Sequence, residues 1–333
     1  MKIAHSILDL VPIVEGSTAS IAFRNALSLA QHVEKLDFTR YWVAEHHNMP
    51  GIASAATSVL IGHIAGGTKS IRVGAGGIML PNHSPLVVAE HFGTLETLYP
   101  NRIDLGLGRA PGTDGATSRA LRRSLTSNDQ FPQDVLELQQ YFKAGNPSST
   151  AIRAVPGEGT EVPLWILGSS LYGAQLAAHM GLPFAFASHF APDALGQAAQ
   201  IYRENFQPSA QLQQPYFMFV VNVFAADTDQ EAALLASSHQ QVFASIIKGE
   251  NTIKLPAPVR DIKAVLGRAT LASVKRTLGC VASGGEEKVY GELSELIDTY
   301  QPNEIMITSP IYDHEARLRS CSIVADVFNK INQ

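Results

Sequence analysis

The stretch Ile71–Asp114, IRVGAGGIMLPNHSPLVVAEHFGTLETLYPNRIDLGLGRAPGTD, decides the fold. Its first part, Ile71-Arg72-Val73-Gly74-Ala75, is a short β-type run that passes into Gly76-Gly77-Ile78-Met79-Leu80-Pro81. A second run, Arg102-Ile103-Asp104-Leu105-Gly106-Leu107, passes into Gly108-Arg109-Ala110-Pro111-Gly112. Between them, Pro85 to Tyr99 has helical spacing, and Pro85 suits a first helical turn, where its missing N–H costs nothing. The stretch therefore reads as a β-α-β unit whose two strands both end in glycine. Glycine at a strand end lets another group approach bare backbone, and Arg109 follows the second such end.

Working outward, the same rhythm continues in both directions. Lys2 to Leu8 is mostly apolar, like a strand covered on both faces. Ala19 to Leu36 has helical spacing, with Ser17 or Thr18 available as a cap. The run Tyr41 to Ala44 ends in Glu45-His46-His47-Asn48, and Ser54 to Ala65 reads as the next helix. Beyond the opening stretch, Ala110 to Ser127 reads as a long functional loop. Gln130 to Lys143 is helical, and Gly145 to Glu161 is an irregular excursion or a hairpin. Val162 to Leu167 is a strand followed by Gly168-Ser169-Ser170 and a helix, Leu171 to Met180. Pro183 to Ala187 is a strand ending in Ser188-His189, a helix covers Asp193 to Asn205, and Tyr216 to Phe224 is a strand. Asp227-Thr228-Asp229 caps a helix to about Ile247. Gly249 to Gly285, with Pro256 and Pro258, interrupts the rhythm with only a short helical pattern near Ile262–Leu266. A helix over Glu286–Tyr300, a strand over Ile305–Thr308 and a helix over Glu315–Asn329 close the chain.

Eight short strands alternating with helices predict a parallel sheet with helical crossovers. Over 333 residues with no repeat or composition break, the expectation is one α/β domain, a (β/α)8 TIM barrel with an insertion, about 249–285, before the last β/α unit. In such a barrel the strand C-termini share one mouth, which gathers Glu45-His46-His47, Gly76-Gly77, Gly108-Arg109, Gly168-Ser169-Ser170 and Ser188-His189. The formal net charge of -5 comes without a basic block, which argues against a nucleic-acid partner. No apolar run reaches the roughly 18 residues of a membrane span. The N-terminus reaches Asp9 too early for a signal peptide, and Cys280 and Cys321 have no metal-ligand spacing. A cytoplasmic protein with reduced thiols is expected.

At the mouth, free N–H groups and hydroxyls at Gly168-Ser169-Ser170, where a helix begins, can bind an anion, with Arg109 one strand away as a bidentate partner. The alternative is that the serines only cap the helix. Glu45-His46-His47 invites a metal, but adjacent side chains on an extended chain diverge and no HExxH-type spacing is present, so no metal is expected. His46 fits better as an acid/base or hydrogen-bond donor; a structural Glu/His network around the rim is the other reading. His83 and His189 lie near strand ends and are expected to line the pocket. The remaining histidines, His63, His91, His179, His239 and His314, read as surface or satisfied core groups.

These residues resemble the bacterial luciferase-like, flavin-dependent monooxygenase family, especially single-chain members whose substrates are unassigned. The resemblance rests on WVAEHHNMPG (Trp42–Gly51), VGAGGIMLPNHSP (Val73–Pro85), NRIDLGLGRAPGTD (Asn101–Asp114), WILGSS with its helix (Trp165–Met180) and MITSPIYDHEARLRS (Met306–Ser320). It implies a barrel that uses reduced FMN and O2 to oxygenate a small organic substrate through a flavin C4a-peroxide. A separate flavin reductase would supply FMNH2, and a homodimer is expected. It implies that Arg109, Ser169, Ser170 and the backbone of Tyr172 and Gly173 hold the phosphate. His46 is implied as catalytic base or proton donor, with Glu45 as its acidic neighbour near the flavin. Gly76-Gly77 is implied to form a cis peptide beneath the flavin ring, and Gly108 stands where luciferase has a cysteine. Two alternatives share the fold: an oxidoreductase that transfers hydride with the deazaflavin F420, and a non-catalytic flavin-binding protein. The absence of a GxGxxG after a strand leaves no NAD(P)H domain visible and favours an external reductase.

Overall fold

The structure, a computed structural model, describes residues 2–110, 115–121, 130–145, 152–250 and 253–333. Its strands are β1 (Ala4–Asp9), β2 (Arg40–Val43), β3 (Arg72–Met79), β4 (Ile103–Gly108), β5 (Leu164–Gly168), β6 (Phe184–Phe186), β7 (Phe217–Ala225), β8 (Val281–Gly284) and β9 (Glu304–Thr308). Helices α1 (Ala19–Glu34), α2 (Thr57–Gly67), α3 (Pro85–Leu98), α4 (Gly115–Ala120), α5 (Phe131–Phe142) and α6 (Leu171–Met180) come first. They are followed by α7 (Leu195–Glu204), α8 (Asp229–Ile247), α9 (Ile262–Thr277), α10 (Glu286–Tyr300) and α11 (His314–Ile331).

Strands β1 to β7 pair in chain order, β7 pairs with β9, and β9 returns to β1, all parallel. The result is a closed eight-stranded (β/α)8 barrel. The period-two rule explains its two apolar layers. Ile7, Tyr41 and Val43 pack into the large core with the surrounding helices, while their neighbours Leu8, Trp42 and Ala44 join Trp165, Met218, Val220 and Met306 in a separate inner cluster.

A buried ionic network lies at the N-terminal strand ends. Arg40 bonds Asp104 at 2.7 Å and Glu304 at 2.8 Å, and Arg72 reaches Asp104 at 2.6 Å. Trp42 Nε1 also donates to Asp104 at 3.0 Å. Burial alone would raise the Asp104 carboxyl, but Arg40 and Arg72 overcome this and hold it below its ordinary value.

Several elements differ from the sequence expectation. Helix α2 begins at Thr57 rather than Ser54, because the Ser54 hydroxyl is taken by the Ala44 carbonyl at 2.5 Å. The insertion holds more structure than expected. The helical pattern at Ile262–Leu266 is the first part of α9, capped by Asp261 at 2.9 Å from Ala264 N. After a break at Gly267, whose φ is 74°, α9 continues to Thr277 and the strand β8 follows. That strand pairs with Asn222–Ala225, the outer half of β7, and so extends the sheet without joining the ring. Its four residues, with Val281 exposed, leave little pattern to read. Within the expected loop 110–127, α4 forms; residues 111–114 and 122–127 lie outside the described residues. Residues 152–161 form no strand, so the described part of the expected excursion is not a hairpin; 146–151 lie outside the described residues.

Candidate active site

The site is built on the C-terminal ends of β2 to β6. In β3 the pairing to β4 steps from Gly76–Gly106 to Ile78–Leu107, which leaves Gly77 as an extra residue, a β-bulge. The Gly76–Gly77 peptide is cis. Packing requires glycine at 77, where a Cβ would lie 2.6 Å from the Gly106 carbonyl oxygen, whereas a Cβ on Gly76 would lie 2.8 Å from Leu8 Cδ1, the end of a side chain that can shift. The bulge presents bare backbone to the mouth, where Gly76 and Gly77 line a cleft of about 200 Å³.

The same cleft is lined by His46, Gly108, Arg109, Ser169, Ser170, Tyr172 and Gly173. Thus the cleft gathers His46 and all the residues expected to hold a cofactor, but not Glu45, His47, His83 or Ser188. The Arg109 guanidinium stacks 4.1 Å from the centre of the Tyr172 ring, at the second residue of α6, which brings a cation to a helix N-terminus. Ser170 occupies the cap position of α6, but its side chain makes no cap hydrogen bond. Ser169 and Ser170 are both exposed.

Glu45 is buried and lines neither this cleft nor its neighbour. Its carboxylate accepts hydrogen bonds from His47 at 2.7 Å, His83 at 2.9 Å and the backbone N–H of Met79 at 3.0 Å. Its own N–H donates to the Gly77 carbonyl at 3.2 Å. Burial pushes this carboxyl up; the hydrogen bonds from His83, His47 and Met79 win and hold it below its ordinary value. Glu45 therefore ties the end of β2 to the bulge of β3. His83, expected to line the pocket, serves that tie instead. His46 and His47 diverge: His46 faces the cleft and His47 turns to Glu45.

A second cavity, of about 390 Å³, adjoins the first and shares Leu10, His46, His189 and Phe190 with it. His239, expected to be a surface or satisfied core group, lines this cavity, and its Nε2 is buried without a hydrogen-bond partner. Burial lowers both His189 and His239 to about 3, with the neighbouring His239 and His46 adding to the effect on His189. Both imidazoles are therefore neutral near pH 7. The sequence signal for His239 is its place on one helical stripe with Val242, Phe243 and Ile246.

A family profile described as luciferase-like monooxygenase matches residues 3–299. The chain belongs to the luciferase-like monooxygenase family. It is 52% identical to a luciferase-like monooxygenase of Escherichia coli (strain K12), over 98% of this chain and 97% of that protein. It is 32% identical to the N-acetyl-S-alkylcysteine monooxygenase of Bacillus subtilis (strain 168), over 96% and 97% of the two chains. The crystal structure of apo-MsnO8 superposes with a TM-score of 0.90 at 33% identity, covering 98% of each chain. In this luciferase-like monooxygenase a side chain at Gly108 would meet Met79, whose sulfur lies 2.9 Å from the position of a Cβ there.

Proposed function

We propose that this luciferase-like monooxygenase uses reduced FMN and O2 to oxygenate a small organic substrate, with the reduced flavin supplied by a separate reductase. The arrangement of Arg109 carries the reading. Its guanidinium is stacked on Tyr172 at the N-terminus of α6, beside a Ser170 hydroxyl that the helix cap leaves unused. An exposed cation, two hydroxyls and helix N–H groups form the donor set a phosphate monoester takes. Arg109, Ser169, Ser170 and the N–H groups of Tyr172 and Gly173 would hold the FMN phosphate. The backbone of Gly76, Gly77 and Gly108 would lie against the ring.

Reduced FMN supplies the activation of O2 when bound. The chain's own residues bind, shield and move protons. His46 stands where the two cavities meet, and we assign it the proton transfer to or from the substrate. Glu45 acts as a positioning residue, holding the β3 bulge through Met79 N–H and Gly77 C=O. The inner apolar cluster beneath the mouth, Leu8, Trp42, Trp165 and Met218 among it, keeps water from the floor of the site.

Separate fluorescence titrations with FMN and F420 test the cofactor. FMN binding is expected to dominate, and Arg109→Ala is expected to weaken it by roughly 2 kcal/mol, about 30-fold. Preferential binding of F420 would overturn the reading in favour of hydride transfer, and unchanged FMN affinity in the variant would move the phosphate elsewhere. Flavin binding that fails to speed the oxidation of any candidate substrate would leave a non-catalytic flavin-binding protein.

We also infer a cytoplasmic homodimer. Among the described residues no helix is long and apolar enough to cross a membrane, and both cysteines are buried free thiols. Val59 on α2, with Val87 and Leu98 on α3, is exposed, which gives the outer helices apolar surface for a second copy. Light scattering at micromolar concentration that gave the monomer mass would refute the dimer.

A further inference from the structure

We infer that the second cavity receives the hydrocarbon part of an uncharged substrate, whose reacting group lies against the wall that the two cavities share. The inference rests on the oxygenase reading for the word "reacting", and on the cavity alone for the chemical class of the ligand.

The wall of this cavity, among the described residues, contains no Asp, Glu, Lys or Arg. One side is a helical stripe of α8, with His239, Val242, Phe243 and Ile246 spaced as residues of one face. The facing side is Met49 and Ile52 after β2, with Ile253 and Leu255 from the insertion. A half-buried apolar stripe that faces a cavity rather than another element is a surface prepared for an apolar occupant.

The wall is built rather than left over. Ile13 N donates to the Gly51 carbonyl at 2.9 Å, Leu255 N to the Ile13 carbonyl at 3.1 Å, and Glu15 N to the Leu255 carbonyl at 2.8 Å. These bonds lace the loop after β1, the loop after β2 and the insertion into one rim. Gly51 allows the contact, since a Cβ there would lie 2.7 Å from the Ile253 carbonyl oxygen. The insertion thus has a task at the site: it closes the outer side of the chamber.

Its volume of about 390 Å³ falls in the range of small-molecule sites, roughly 300–1,000 Å³. A carboxylate or ammonium entering it would lose hydration and find no counter-charge among the described lining residues. Of the three lining histidines, His189 and His239 do not supply one, because burial keeps both neutral, and His46 stands at the wall shared with the first cavity, where the reacting group lies rather than the hydrocarbon part. Among the described lining residues the polar side-chain groups are the imidazoles of His46, His189 and His239 and the hydroxyls of Thr277 and Thr308. Of these, His46 and His189 belong to both cavities, so a single uncharged polar group is best placed there, with its alkyl chain running toward Phe243 and Ile246.

Calorimetric titration of the flavin-free protein near neutral pH with 1-octanol, and with octanoate of the same chain length, tests this. The alcohol is expected to bind, the carboxylate at least about tenfold more weakly. Ile246→Lys is expected to weaken octanol binding by at least about tenfold while circular dichroism is unchanged. Should that variant fail to fold, Val242→Asn is expected to act in the same direction. Absence of octanol binding, equal binding of octanoate, or octanol affinity unchanged in the folded variant overturns the proposal. Titration of the same preparation with FMN separates the two readings: loss of FMN binding with alcohol preference retained overturns only the cofactor assignment.

Discussion

Gly108 was legible as a strand-end glycine beside Arg109, but its reason lies across the sheet. A Cβ there would meet the Met79 sulfur at 2.9 Å, so the thioether fills the room that a side chain at 108 would need. The two positions are coupled. Gly108→Cys is expected to cost about 1 kcal/mol through overpacking, a cost that Met79→Ala relieves. Chemical denaturation of the single and double variants measures it; additive effects would show that the side chains do not compete. The residue types of the proposed phosphate site, Arg109 with Ser169 and Ser170, could be read from the chain. That Arg109 rests on Tyr172 could not, because a side chain's stacking partner depends on the spacing of β4 and β5 in the ring.

Among the elements, β3 brings Gly76, Gly77 and Met79 to the cleft. The two adjacent glycines marked an opening in the sequence, yet the bulge that singles out Gly77 exists only in the pairing with β4. Gly77→Ala is expected to force the strand from its partner, because its Cβ would fall 2.6 Å from the Gly106 carbonyl oxygen, a backbone atom with little freedom to yield. The expected outcome is a loss of roughly 2 kcal/mol or more in unfolding free energy together with loss of FMN binding. A variant with wild-type denaturation midpoint and flavin affinity would remove Gly77 from the floor of the site. Helices α1 and α8 announced themselves through Thr18 and Thr228, whose side chains accept from Ile21 N and Glu231 N. By contrast, β8 went unread. Four residues with a single buried apolar side chain, Ala282, carry too little periodicity, and the strand is held in place by the long β7.

For the whole molecule, one expected signature is acid sensitivity. His5 is buried between Phe38 and Phe328, with ring centroids at 4.5 and 4.6 Å, and burial lowers it from 6.5 to about 4. The unfolded chain therefore binds a proton between pH 6.5 and 4 that the folded chain refuses. The resulting stability is fully present above pH 6.5 and is lost as pH falls toward 4, by up to roughly 3 kcal/mol from this group. Melting temperatures across that window are expected to fall more steeply for the wild type than for His5→Phe; parallel curves would rule out His5 as the source. Nothing in the local sequence marks His5 as depressed, since Phe328 arrives from the far end of the chain. The sequence by itself determined the alternation of strands and helices and the residue types at the strand ends, because these follow from hydrophobic period and backbone preference within short windows, and the count of eight units pointed to a barrel. Only the tertiary structure decided which of those residues face the cleft. It turned Glu45 away to hold the bulge and gave His239 and α8 a chamber to line. It also folded the insertion over that chamber, because the direction of a side chain and the walls of a cavity depend on elements that meet only when the ring closes.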